Sequence, residues 1–146
     1  MTFSKLFKTA ALSLMIALPV AGAASANGSY VNVQQWGVGN AAAGAQTGWF
    51  NDMGIYQNGN YNSAAATQNG NWNTTVIGQT GYGNAASAAT YGSGNVSGIA
   101  QNGAYNSAST GQLGYGNGVA IIQNGFGNSA SSSQVGTGNT AVIVQN

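Results

Sequence analysis

Polar and apolar positions recur every eleven residues from Ser29 to the end of this chain. Each unit has the form N-x-x-x-x-x-Q-x-G-x-x, so Asn, Gln and Gly keep a fixed spacing. A drifting low-complexity tract would not hold three residue types in phase over ten units. The pattern therefore predicts a repeat protein in which each unit occupies an equivalent place.

The fixed positions are as follows. The glycines are Gly37, Gly48, Gly59, Gly70, Gly81, Gly92, Gly103, Gly114, Gly125 and Gly136. The asparagines are Asn40, Asn51, Asn62, Asn73, Asn84, Asn95, Asn106, Asn117, Asn128 and Asn139. The glutamines are Gln35, Gln46, Gln57, Gln68, Gln79, Gln101, Gln112, Gln123, Gln134 and Gln145, with Thr90 in the one exceptional position.

The apolar positions double this period to 22 residues, because large and small side chains alternate from unit to unit. One set of units carries a β-branched residue four positions after its opening polar residue, at Val33, Ile55, Ile77, Ile99, Ile121 and Ile143. The other set carries alanine two positions after its Asn, at Ala42, Ala64, Ala86, Ala108 and Ala130.

The fixed residues lie at offsets 0, 2, 4 and 6 within a unit, and this period of two indicates one face of a β-strand. We expect each strand to run from the Asn to the Gln, about seven residues. The four residues that follow carry the Gly and form a turn. Eleven strands are predicted, starting at 29, 40, 51, 62, 73, 84, 95, 106, 117, 128 and 139.

The predicted fold class is all-β: a β-solenoid of 22-residue strand-turn-strand coils, which becomes cross-β amyloid in a fibre. Ile of one strand faces small residues of the other, so that the two sheets interdigitate closely. Gln and Asn stack on their equivalents one coil away and form amide ladders. Thr90 is expected to break one glutamine ladder locally.

The first 26 residues have the three parts of a secretory signal peptide. Lys5 and Lys8 form the positive region, residues 10–20 form an apolar run, and residues 24–26 form an A-x-A cleavage site. The alternative is a membrane anchor, but the run is shorter than the roughly 20 apolar residues of a span. The predicted mature chain is 27–146, with repeats 29–50, 51–72, 73–94, 95–116 and 117–138 and a half repeat 139–146.

Composition removes most other functions, since only 2% of the residues are charged and His and Cys are absent. After cleavage the one charged side chain is Asp52. An acid–base pair for catalysis, a thiolate, imidazole or carboxylate cluster for a metal and a basic patch for nucleic acid are therefore not available. We expect no enzyme activity, no cofactor, no metal site and no nucleic-acid partner.

The pattern S/N-x5-Q-x-G-x-x-N-x-A-x3-Q resembles the curlin repeat of bacterial curli fibres. Residues 29–46 carry it fully, residues 51–68, 95–112 and 117–134 carry it with Asn in the Ser position, and residues 73–90 lack the final Gln. The resemblance implies a subunit of an extracellular functional amyloid at a bacterial cell surface, exported through the periplasm. Such a fimbrium serves biofilm, cell adhesion and aggregation.

The resemblance also implies three partners: further copies of the chain, a nucleating minor subunit and an outer-membrane export pore. Family subunits usually carry a Gly/Asn-rich leader that this pore reads, whereas here residues 27–28 are followed at once by the first repeat. The last full repeat is regular and the half repeat is neutral, which favours the major subunit over the nucleator.

The ends of the predicted solenoid bear on whether the chain polymerises. Stable monomeric solenoids close their ends with caps, and since no cap is evident here we expect polymerisation.

A soluble ice-binding solenoid would need one outward lattice on every coil, and the outward positions of the Ile-bearing strands are mixed. The aromatic residues at the turns are expected to cover the corners of the solenoid, although an adhesive edge is the other interpretation.

Overall fold

The computed structural model describes residues 28–146, so the predicted signal peptide lies outside the described residues. This part of the chain contains eleven β-strands and no helix. Nowhere in residues 28–146 is there a helix of the length and apolarity that a membrane span needs. The strands are β1 Tyr30–Trp36, β2 Ala41–Thr47, β3 Asp52–Asn60, β4 Ser63–Asn71, β5 Thr74–Tyr82, β6 Ala85–Ser93, β7 Val96–Ala104, β8 Ser107–Tyr115, β9 Gly118–Phe126, β10 Ser129–Thr137 and β11 Thr140–Gln145.

The odd-numbered strands form one six-stranded sheet and the even-numbered strands form one five-stranded sheet. All neighbours within a sheet are parallel, and every residue pairs with the one 22 positions later, as Ile55 does with Ile77. Two consecutive strands therefore make one coil, and equivalent residues return to the same place one coil further on. The predicted all-β solenoid is confirmed.

The strand bounds differ from the prediction. Strands begin one residue after the Asn, and the eight central ones, β3 to β10, are nine residues long. They run longer because the Gly after each Gln stays paired with its equivalent, as Gly59 does with Gly81. At Gly70 the φ angle is 127°, and a Cβ would lie 1.8 Å from the carbonyl oxygen of Gly92. Glycine is therefore required where the strands bend into the corner.

The core lies between the two sheets, with isoleucines from the odd strands against alanines from the even strands. Four further buried residues were not predicted: Met53, Thr75, Ser97 and Val119, each two positions before an isoleucine. They lie on the same inward face of the strand as the isoleucine. Because the four residues are of four different types, no repeated residue marks this position in the sequence.

The core assignment of Val33 is corrected. Its side chain pairs in register with Ile55 but remains 42% exposed. Within residues 28–146, β1 has a neighbouring strand on one side only, so half of its packing partners are missing. Ala42, Ala130 and Ile143, which also lie near the ends of the stack, are partly buried against the core.

Facing residues in the core adjust to each other in size. Met53 is fully buried, and a Cβ added to Gly44 would lie 2.8 Å from its sulfur atom. One coil further on, the equivalent positions hold Thr75 and Ala66. Thr75 is smaller than Met53 and Ala66 is larger than Gly44, so the change on one sheet offsets the change on the other. A long side chain on one sheet is accommodated by removal of volume from the other.

Gly44→Ala is therefore expected to lower the free energy of unfolding by about 1–3 kcal/mol through overpacking. The double variant Gly44→Ala with Met53→Thr reproduces the pair of the next coil and should recover most of that loss. Denaturant unfolding of the wild type, both single variants and the double variant measures the coupling. Simple additivity of the two single effects would contradict the proposed contact.

Candidate functional site: the amide ladders

The glutamines of the six-stranded sheet form one continuous ladder. In each step Nε2 of one glutamine donates to Oε1 of the glutamine one coil further along the chain; the distance is 2.7 Å from Gln57 to Gln79 and 2.8 Å from Gln79 to Gln101. The interior members are buried. The ladder consists of Gln35, Gln57, Gln79, Gln101, Gln123 and Gln145.

In every ladder glutamine after Gln35, one amide N–H links the two sheets. Gln57 Nε2 donates to the carbonyl oxygen of Ala41 at 2.9 Å, and Gln79 Nε2 donates to that of Ser63 at 2.9 Å. The acceptor is always 16 residues earlier, in the first residue of the preceding strand. In Gln57, Gln79, Gln101 and Gln123 both amide hydrogens are bonded, so burial of these side chains leaves no unpaired donor.

The asparagines form ladders of the opposite polarity at the corners. Asn73 donates from its backbone N and from Nδ2 to Oδ1 of Asn51, one coil earlier, both at 3.1 Å. Asn73 Nδ2 also donates to the carbonyl oxygen of Gly92 at 2.8 Å. In the first coil Ser29 takes the position of an Asn, and its Oγ accepts from the backbone N of Asn51 at 3.1 Å.

The glutamine ladder of the five-stranded sheet is interrupted at Thr90. Gln46 donates to Gln68 at 2.6 Å and Gln112 donates to Gln134 at 3.1 Å, but the threonine between these pairs is too short to continue the chain of amides. Gln68 Nε2 instead donates to Oγ1 of Thr75 at 3.0 Å. Oγ1 of Thr90 and Oε1 of Gln112 are buried without a hydrogen-bond partner.

The predicted ladder residues differ in burial according to their place in the stack. Those of the interior coils are buried, those at the ends, such as Gln35 and Asn128, are half-buried, and Asn139 is exposed. All ten predicted turn glycines have positive φ angles, from 105° to 134°. The sequence analysis did not identify Thr75 as an acceptor; it lies seven residues after Gln68, in the next strand, β5.

The aromatic residues lie along the two corners. On the corner that follows the odd strands, Tyr61, Tyr82, Tyr105 and Phe126 form an edge-to-face column with ring centroids 5.4 to 5.5 Å apart. On the other corner Phe50 stacks on Trp72 at 4.3 Å. The pKa of the Tyr82 hydroxyl is raised above 10.0, first because an ionised Tyr105 would repel its phenolate, with smaller contributions from burial and from Tyr61.

Residues 51–81 match the family model of the curlin associated repeat. The matched segment contains β3, β4 and most of β5, which is one full coil and the start of the next. This segment is therefore similar to the repeat of the curlin family. No curated protein sequence matches the chain.

Across residues 28–146 there is no group of three His, Cys, Asp or Glu side chains that could hold a metal ion. The repeated chemistry of the described residues consists of amides that bond along the coil stack and between its two sheets.

Thr90→Gln is expected to complete the interrupted ladder, since Gln112 Oε1 would gain a donor and Gln68 would regain its acceptor. One buried unpaired polar atom costs about 1–3 kcal/mol, so the free energy of unfolding should rise by that order. Ser87→Gln adds the same amide to the outer face of β6 and serves as the control. Denaturant unfolding measures both, and a Thr90→Gln variant no more stable than the control would contradict this account.

Stability should fall at high pH. A raised pKa of Tyr82 in the folded chain means that its stabilising contribution is complete below about pH 10 and is lost as pH rises through the folded pKa. Tyr82→Phe removes the titrating group, so its denaturation midpoint should fall less between pH 9 and pH 11. Tyr91→Phe, a change outside the column, should behave as the wild type does.

Proposed function

We propose that this chain is the major structural subunit of an extracellular curli-like amyloid fibre, in which copies stack head to tail along the solenoid axis. The observation that carries the proposal is the polarity of the amide ladders, which gives the two ends of the described stack complementary chemistry. The match of residues 51–81 to the curlin associated repeat supports the surface-fibre setting. The fibre would act in biofilm matrix, surface adhesion and aggregation.

The glutamine ladders have acceptors at one end and donors at the other. Among residues 28–146 no group donates to Oε1 of Gln35 or Gln46. At the other end, Gln134 and Gln145 each donate one Nε2 hydrogen to a backbone carbonyl oxygen, at 3.0 Å in both cases. The second Nε2 hydrogen of each has no acceptor among residues 28–146. A second copy stacked in the same direction would supply the missing partners.

The backbone supports the same direction of growth. Strands β1 and β11 at the two edges of one sheet, and β2 and β10 at the edges of the other, each have a neighbour on one side only within the described residues. Edge strands present unpaired N–H and C=O groups to another chain. Ends that differ from each other make a heterologous contact, and a heterologous contact that does not close gives an open filament.

Charge repulsion between stacked copies is small. Asp52 is the one charged side chain of residues 28–146, and it is exposed on the outer face of β3. Charges on edge strands are a usual device against edge-to-edge association. Because charged side chains are nearly absent from residues 28–146, we expect rapid assembly. The regularity of 117–138 favours the major subunit over the nucleator, because a bulk subunit must present the same repeat at every junction.

Residues 27–146, diluted from denaturant, should assemble into fibres whose diffraction shows spacings near 4.8 and 10 Å, the strand and sheet separations. Fibre diffraction and electron microscopy measure this directly. A chain that folds but remains monomeric for days at micromolar concentration would overturn the proposal.

Gln145→Ala is expected to slow seeded elongation about fivefold to tenfold, because loss of about 1–1.5 kcal/mol at a junction changes its occupancy by that factor. Gln34→Ala is the matched control, since Gln34 lies one residue from the ladder and faces outward. Seeded thioflavin kinetics compare the two variants. Equal rates would show that the ladder does not continue from one copy to the next.

A further inference from the structure

Four aromatic rings form a single column along one corner of the solenoid, and each of four successive coils contributes one ring. The column runs Tyr61, Tyr82, Tyr105, Phe126, with centroid separations of 5.4, 5.5 and 5.4 Å. The planes are inclined by 64 to 71°, so the edge of one ring meets the face of the next. Three consecutive members are phenols.

The backbone departs from its usual conformation to build this column. Tyr61 and Tyr105 have φ angles of 57° and 56°, in the left-handed region that glycine otherwise occupies at this turn position. Tyr82 stands one residue earlier in its own turn and is followed by Gly83. A Cβ on Gly83 would lie 3.1 Å from the ring of Tyr105, so the glycine makes room for the ring of the next coil.

The three phenols are accessible from solvent, with exposed fractions of 58% for Tyr61, 42% for Tyr82 and 55% for Tyr105. They are held by the coil register as well as by one another, since the corner residues of successive coils bond through their backbones, as Tyr105 N does to the carbonyl oxygen of Tyr82 at 3.0 Å. Tyrosines fixed in contact and open to a soluble reagent meet both conditions for coupling to each other.

We propose that Tyr61, Tyr82 and Tyr105 form an oxidative cross-linking site, at which Tyr82 couples to Tyr61 or Tyr105 and joins adjacent coils covalently. The oxidant would be a haem peroxidase with hydrogen peroxide, or another one-electron oxidant of phenols. The inference rests on the folded coil and holds whether or not copies stack into a fibre.

Each of two phenols loses one electron and its hydroxyl proton and becomes a phenoxyl radical, with unpaired spin on the ring carbons next to the C–O carbon. Two such carbons form a C–C bond, and the hydrogen on each moves to oxygen and restores the phenol. Hydrogen peroxide accepts the two electrons and two protons and is reduced to two waters. The product is a dityrosine between neighbouring coils.

A bond from Tyr82 to Tyr105 would close a loop within one chain and restrict the unfolded ensemble, as a disulfide does. The oxidised chain should therefore resist denaturant better than the untreated chain. Phe126 ends the phenol series, so coupling is confined to the first three rings of the column.

The experiment treats the folded wild-type chain with horseradish-type peroxidase and hydrogen peroxide, and follows dityrosine fluorescence. Pepsin digestion and mass spectrometry then locate the cross-links, since residues 28–146 contain no Lys or Arg for trypsin. A mixture of isotopically labelled and unlabelled chains distinguishes bonds within one chain from bonds between chains. We expect mainly intrachain links that include Tyr82.

Two variants and one control sharpen the test. Tyr82→Phe keeps the ring and its packing but removes the central phenol, and should lower intrachain dityrosine at least fivefold. Phe126→Tyr extends the phenol series and should add a link between positions 105 and 126. Tyr91→Phe, on the other corner, should leave the yield unchanged. An unchanged yield in Tyr82→Phe, or links spread equally over tyrosines outside the column, would overturn the proposal.

Discussion

Burial of a primary amide in a protein core is costly unless both N–H groups and the carbonyl find partners, and this requirement governs the solenoid everywhere except next to Thr90. Elsewhere each interior glutamine meets it with one bond to the next coil and one to the opposite sheet, as Gln79 does with Gln101 and Ser63. A shift of the register by one residue would turn every such amide to the outer face and leave carbonyls in the core unpaired. The ladders therefore hold the 22-residue period in place, and the close approach of the corner glycines depends on that period.

The interruption at Thr90 shows how a local defect is contained. The unused N–H of Gln68 is taken by Thr75, a residue of the opposite sheet, so the defect extends over one step of one ladder. The intact ladder of the other sheet passes the same level without a break. Because each coil carries a glutamine position in both sheets, the loss of one amide at Thr90 leaves the ladder of the other sheet intact.

Core packing follows a different rule from the ladders. The amides must be identical from coil to coil because they bond to copies of themselves, whereas apolar positions need only fill the space opposite them. The pairs Met53 with Gly44 and Ser97 with Thr110 show this freedom: one is a size exchange, and the other is a hydroxyl contact of 2.8 Å. The corners allow similar variation, so aromatic rings come from either of two turn positions and still meet in one column.

The eleven-residue spacing of Asn, Gln and Gly predicted the β-strands, because residues that recur at offsets of two must share one face of a strand. The alternation of β-branched and small residues from unit to unit predicted two strands per coil. The eleven-residue spacing also marked Thr90 as the odd position. The length of the strands was not readable, since a glycine with positive φ can end a strand or bend a continuing one, and the choice depends on pairing with the coil above. The burial of Met53 and the exposure of Val33 were likewise settled by neighbours outside their own unit. Local periodicity encodes which face a residue occupies, but what lies opposite or above that face is a property of the assembled coils.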